Sequence, residues 1–263
     1  MRHKNSIIKA AVVFHILVIF LLFLSVGVAF AQLTVQANHS HIKIGFFYHG
    51  GTVSLRGISD PDTDIVLKLT SADGHQTLRK KGKVGGFLWM NVGELEVEHA
   101  PNVYFVNSTK NIKDILTREE MDKYVIGYPA LKKHVSMNAS GEENQDMWFR
   151  EFVKFREASN LYAATAGKIS LTEKDGSQHY YILTQWPYQA PPGNYTVTAY
   201  AVRDKKVIET ATAGVSVEQA GLVKSFATMA KNNAAVYGIL SILVALCAGF
   251  GVGLVFRKSG GAH

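Results

Sequence analysis

One cysteine in 263 residues, Cys247, excludes an intramolecular disulfide, a Cys-x-x-Cys redox pair and a cysteine-based structural zinc site. Proline is scarce at six and the 23 glycines follow no Gly-x-y period, so Pro-rich and collagen-like classes are excluded. Only 19% of residues are charged against 47% hydrophobic, which excludes a disordered polar tail. Catalytic signatures are missing too: there is no Gly-x-Ser-x-Gly, His-Glu-x-x-His or Walker A motif, and no Gly-x-Gly-x-x-Gly in a strand-to-helix setting. The expectation is a protein that is not an enzyme and needs no cofactor. What remains is a chain long enough for one or two domains with a buried core.

The longest apolar runs lie at the two ends. Residues 1–31 hold no Asp or Glu; Arg2, His3, Lys4 and Lys9 precede an apolar run from Ala11 to Val28. Ala29-Phe30-Ala31 has the small-x-small pattern of a signal-peptidase site, so residues 1–31 read as a signal peptide cleaved before Gln32. The run exceeds an ordinary h-region, so an uncleaved signal anchor is the alternative. Ala234 to Phe256 carries no charge and ends on Arg257-Lys258, which predicts a transmembrane helix over 234–256. Positive residues favour the cytoplasmic side, leaving residues 257–263 as a cytoplasmic tail. The bulk of the chain then lies outside the membrane, an exported domain on a single-pass anchor.

Charge has to be recounted after this division. The formal net charge of +7 falls to about +2 once the leader and the Arg257-Lys258 pair are set aside. Nucleic-acid binding loses its electrostatic support.

Residues 32–217 read as a mainly β, immunoglobulin-like antiparallel sandwich with a helical insertion at about 111–162. Ile42–Tyr48 and Thr52–Arg56 flank a hairpin-like break at His49-Gly50-Gly51. Strands are expected at 65–69, 76–81, 87–91, 95–99, 103–106, 169–172, 179–186, 196–202 and 207–217, separated by turn residues. The Pro191-Pro192-Gly193 turn before Tyr195 reads as a hairpin of that sandwich. Asn111–Tyr124 and Asp146–Leu161 read as helices, the second with an apolar face of Met147, Phe149, Phe152, Val153 and Phe155. Ser136–Gln145 between them reads as a polar loop, and residues 218–233 as a juxtamembrane helix.

Ser40-His41 before a strand, Gly50 to Gly57, and Arg79-Lys80-Lys81 followed by Gly86-Phe87-Leu88-Trp89-Met90-Asn91 resemble the alphaproteobacterial "putative transmembrane protein" family. The resemblance continues through Pro101-x-x-Tyr104, Phe149–Tyr162, Pro192-Gly193-x-Tyr195 and the Tyr237-Gly238 to Phe256-Arg257 span. At the Trp strand, Phe87-Leu88 and Met90 replace the family's smaller aliphatics. The resemblance implies a bacterial protein, hence a periplasmic domain on a single-pass C-terminal anchor in the inner membrane, and a permease of the sulfite-exporter type as partner; it implies no reaction.

Several groups could carry function. His39 and His41 share a face if on one strand, and His49 returns beside them if the hairpin forms, giving three imidazoles for copper or zinc. The competing reading keeps His39 in a flexible segment and His41 packed at a strand start, and it is favoured because a ligand set needs fixed geometry. Trp89 and Asn91 also share a strand face. They read as a ligand contact or, more favourably, as a core tryptophan with an Asn satisfying a turn. Lys80 and Lys81, with Arg79 and Lys83, read as a site for anionic lipid or an anion such as sulfite, or as a solvated strand edge guarded by lysines; the edge is favoured. Gly249 and Gly253 lie four apart in the span, where they permit close helix contact or are ordinary membrane-helix glycines. The leading functional expectation is a membrane-anchored accessory or binding module. A periplasmic metal- or anion-binding protein is the alternative.

Overall fold

A computed structural model describes residues 32–45, 48, 50–139 and 145–257. The expected signal peptide and His49 lie outside the described residues. Half of the fold follows from strands whose apolar side chains recur at every second position. In β3 (Gly51–Ser59), Val53 and Leu55 are buried; in β11 (Ser177–Trp186), Gln178, Tyr180, Ile182 and Trp186 are. These two strands form the centre of a four-stranded antiparallel sheet, flanked by β1 (Gln36–Ala37) and β10 (Ser170–Lys174).

The second sheet has six strands. Their order is β2 (His41–Ile44), β13 (Lys206–Gln219), β12 (Gly193–Arg203), β4 (Asp64–Ser71), β7 (Tyr104–Ser108) and β9 (Tyr162–Ala166). Its two outermost pairings, β2 with β13 and β7 with β9, are parallel; the rest are antiparallel. The sheets meet through one apolar cluster, with Trp186 of the first standing edge-on to Tyr195 of the second at 4.7 Å. Every residue of β7 is buried, so the second sheet is covered on both faces.

The outer cover is helical. Asn111 caps α1 (Ile112–Ile115), accepting from Lys113 N at 3.2 Å. Thr117 caps α2 (Arg118–Tyr124), accepting from Glu120 N, and Val125 ends it in the left-handed region. Gly127, at φ 85°, turns the chain into α3 (Tyr128–His134), and α4 (Gln145–Ala158) follows. Tyr104 fastens this cover to the sheet: its hydroxyl donates to Val125 O at 2.9 Å and accepts from Gly127 N at 2.8 Å. The helix expected over 111–124 is thus two short helices, broken where Thr117 is extended and its N–H donates to Lys205 O. On α4, Phe155 is exposed while Arg156 is buried, reversing part of the expected apolar face.

A third sheet contains β5 (Asp73–Val84), β6 (Leu88–Pro101) and β8 (Ser136–Ala139). β8 occupies the start of the expected polar loop, pairing Ser136–Ala139 with Leu95–Glu98. The two strands expected at 87–91 and 95–99 are one. The hairpin expected at residues 49–51 is a crossover, because β2 joins the second sheet and β3 the first. The Pro191-Pro192 turn is likewise a crossover between β11 and β12. After β13 come α5 (Gly221–Asn232) and α6 (Ala234–Arg257), of which Ala234–Gly253 is long and apolar enough to cross a membrane.

Candidate functional site

The residues singled out in the sequence fall in three places. His41 lies in β2 with Nε2 3.0 Å from Glu218 Oε1 of neighbouring β13, and this contact pulls the Glu218 carboxyl below its usual range. His39 is exposed and precedes the strand, so the period-two argument that aligned it with His41 does not apply. Among the described residues no three His, Cys, Asp or Glu side chains are arranged to hold a metal ion.

Lys80, Lys81, Trp89 and Asn91 come together on the β5–β6 hairpin. The register pairs Lys81 with Asn91, Lys83 with Trp89, and Lys80 with Gly93, a bulge leaving Val92 as the extra residue. Gly82 makes room for it: a Cβ there would stand 2.7 Å from a Val92 methyl. Lys83 Nζ lies 5.4 Å from the Trp89 ring, and Lys80 Nζ lies 5.1 Å from the ring of Trp148 on α4. Trp89 is 64% exposed and Phe87 83% exposed, so the favoured reading of Trp89 as a core residue is wrong. The core tryptophan is Trp186, at 2% exposure. Among the described residues no strand other than β8 pairs with the hairpin, and its apolar run stays exposed.

Gly249 and Gly253 lie in α6. A Cβ at either would meet nothing within 4 Å, and the apolar segment Ala234–Gly253 has no buried share. Within its own chain this span has no packing partner among the described residues.

A fourth place was not legible in the sequence. An open cleft of about 610 Å³ lies where β3 and β11 of the first sheet approach β7 and β9 of the second. Asn107 and Thr165 contribute side chains, the Thr165 hydroxyl donating to Asn107 Oδ1 at 2.6 Å; Gln185, Trp186, Tyr188 and Lys168 complete the wall. The buried Trp186 Nε1–H has no hydrogen-bond partner among the described residues. Amides, hydroxyls, four aromatic residues (Phe105, Tyr162, Trp186 and Tyr188) and one ammonium suit a small polar ligand. These residues come from strands far apart in sequence, so no local spacing announces them.

Comparison with known proteins gives little beyond the family. No curated protein matches the sequence. Domain 1 of VCBP3 from Branchiostoma floridae aligns at 11% identity over 74% of this chain and 98% of its own, with a TM-score of 0.23. A family 123 glycoside hydrolase from Clostridium perfringens aligns at 10% identity over 73% of this chain and 28% of its own, also with a TM-score of 0.23. Neither likeness carries an argument about function. The family described as "Putative transmembrane protein (Alph_Pro_TM)" matches residues 32–258, from the start of the β domain through the apolar span, and the chain belongs to that family.

Proposed function

We propose that the chain is a non-enzymatic accessory subunit, exported and anchored by α6 in the bacterial inner membrane, with its β domain in the periplasm. The observation that carries this reading is the span itself: an uncharged helix with no partner in its own chain among the described residues, presenting Gly249 and Gly253 one turn apart. Helices associate in lipid by close packing where small residues let backbones approach, so the pair is a contact face for an integral-membrane partner. A permease of the sulfite-exporter type fits the resemblance of the sequence. Arg257 and Lys258, directly after the span, support an orientation with the C-terminus in the cytoplasm. The test compares native membrane complexes of the wild-type chain and a Gly249→Leu/Gly253→Leu double variant on native gels. A complex lost in the variant supports the reading; unchanged complexes remove the packing role.

The second reading is a periplasmic binding protein, favoured by the cleft and its Lys168 ammonium. Calorimetric titration of the full chain in detergent with sulfite would give a saturable heat that Lys168→Ala weakens.

A further inference from the structure

The β5–β6 hairpin continues the β4–β7 pair of the second sheet past that sheet's end. Only Ala72 separates β4 from β5. Ser71 N donates to Val103 O at 3.2 Å and Asn102 N to Ser71 Oγ at 2.6 Å, carrying the pairing across the join. The third strand, β8, braces β6 only at Leu95–Glu98. Beyond it, from Arg79 to Gly93, no further strand among the described residues pairs with the two, Lys80 alone reaching α4 at the Trp148 ring, and the hairpin closes at Gly85 and Gly86, whose φ values of 64° and 81° suit glycine.

This arm has a composition of its own. Arg79, Lys80, Lys81 and Lys83 lie within it, and the nearest acidic residue, Glu94, stands opposite Arg79 at its base. Val84, Phe87, Leu88, Trp89, Met90 and Val92 are all exposed. A two-stranded ribbon without a core is marginal in water, and a cluster of exposed large apolar side chains marks a contact surface. An aromatic tip behind a cationic collar matches the layered chemistry of an anionic bilayer: rings at the headgroup boundary, ammonium groups among phosphates.

The topology sends the arm the right way. Tyr195 of β12 pairs with Ser71 on one side and with Val215 on the other, so β4 and β13 run parallel and leave the sheet at the same end. β13 leaves there for the membrane span. From Val215 to Gln219 the strand covers ~13 Å, and the 12 residues of α5 add ~18 Å at most. The 12 residues of β5 cover ~40 Å. The arm is long enough to reach the plane in which the span begins.

We propose that the Arg79–Gly93 arm is a second membrane contact: Phe87, Leu88, Trp89 and Met90 enter the interface of the bilayer that α6 crosses, and Arg79, Lys81 and Lys83 engage anionic phosphate headgroups. The full chain is reconstituted into vesicles of phosphatidylcholine with or without phosphatidylglycerol, using lipids brominated on the acyl chains as tryptophan quenchers. The three tryptophans are Trp89, Trp148 and Trp186, and none lies in the span, so quenching reports the β domain alone. The expected result is quenching of the wild-type chain, stronger with phosphatidylglycerol, and its loss in Trp89→Phe. A Phe87→Ser/Met90→Ser variant, which keeps Trp89, brings quenching down towards the level of Trp89→Phe. No wild-type quenching overturns the proposal and leaves the arm to a protein partner. Quenching unchanged in Trp89→Phe overturns it equally.

Discussion

Lys68 shows how much of this fold turns on single side chains. It sits on β4 beneath the helical cover, its ammonium donating to Tyr124 O and lying 5.6 Å from the Tyr200 ring. Burial, partly offset by the Asp73 charge, pulls its pKa down from 10.5 to about 8. A lysine that ionises less readily folded than unfolded binds fewer protons in the native state between these values. Stability therefore rises with pH from about 8 towards 10.5, and the whole charging cost, of order 3 kcal/mol, is present below pH 8. Thermal midpoints of the wild-type β domain should rise between pH 7.5 and 9.5, while Lys68→Met should be flat over that window. Gly57 is decided by space: a Cβ there would fall 1.9 Å from Thr34 O, the oxygen that accepts from the Tyr180 hydroxyl. Gly57→Ala should cost about 3 kcal/mol, lowering the midpoint by several degrees, because the 33–37 segment must leave β3. Neither residue is conspicuous in the sequence. Lys68 reads as the polar member of an alternating strand, since the helices that bury it are distant in the chain.

At the scale of elements, the sequence shows where strands lie better than what they pair with. Turn residues and period-two patterning locate most strands of both sheets to within a few residues. The crossovers at residues 49–51 and 191–192 read as hairpins because a tight turn looks alike whether the next strand pairs with its predecessor or changes sheet. The Phe87–Val92 run misleads for a related reason. Apolar residues on both faces of a strand signal burial between two layers, and nothing local reveals that no layer is present. The two tryptophans make the contrast measurable. Trp186 stands edge-on to Tyr195 inside the core, so Trp186→Ala should cost about 3–5 kcal/mol in urea unfolding. Phe87→Ser and Trp89→Ser should each shift stability by no more than ~0.5 kcal/mol, as befits exposed side chains. A large loss at Trp89 would mean that the arm is packed against the domain.

For the whole molecule, the ends of the chain are its plainest signals, since an uncharged run of membrane-spanning length needs no tertiary context to be read. The cleft is the opposite case. Asn107, Thr165 and Trp186 meet only because β7, β9 and β11 are brought together across two sheets. The proposed subunit combines a β domain, a basic apolar arm and a glycine-notched span that together serve an integral-membrane partner. The most direct measurement is a mild-detergent purification of the tagged chain from its native membrane, with co-purifying proteins quantified by mass spectrometry. The expected result is a permease in stoichiometric amount, lost when Gly249 and Gly253 become leucine. Recovery of the chain alone, with the arm and span intact, would contradict it.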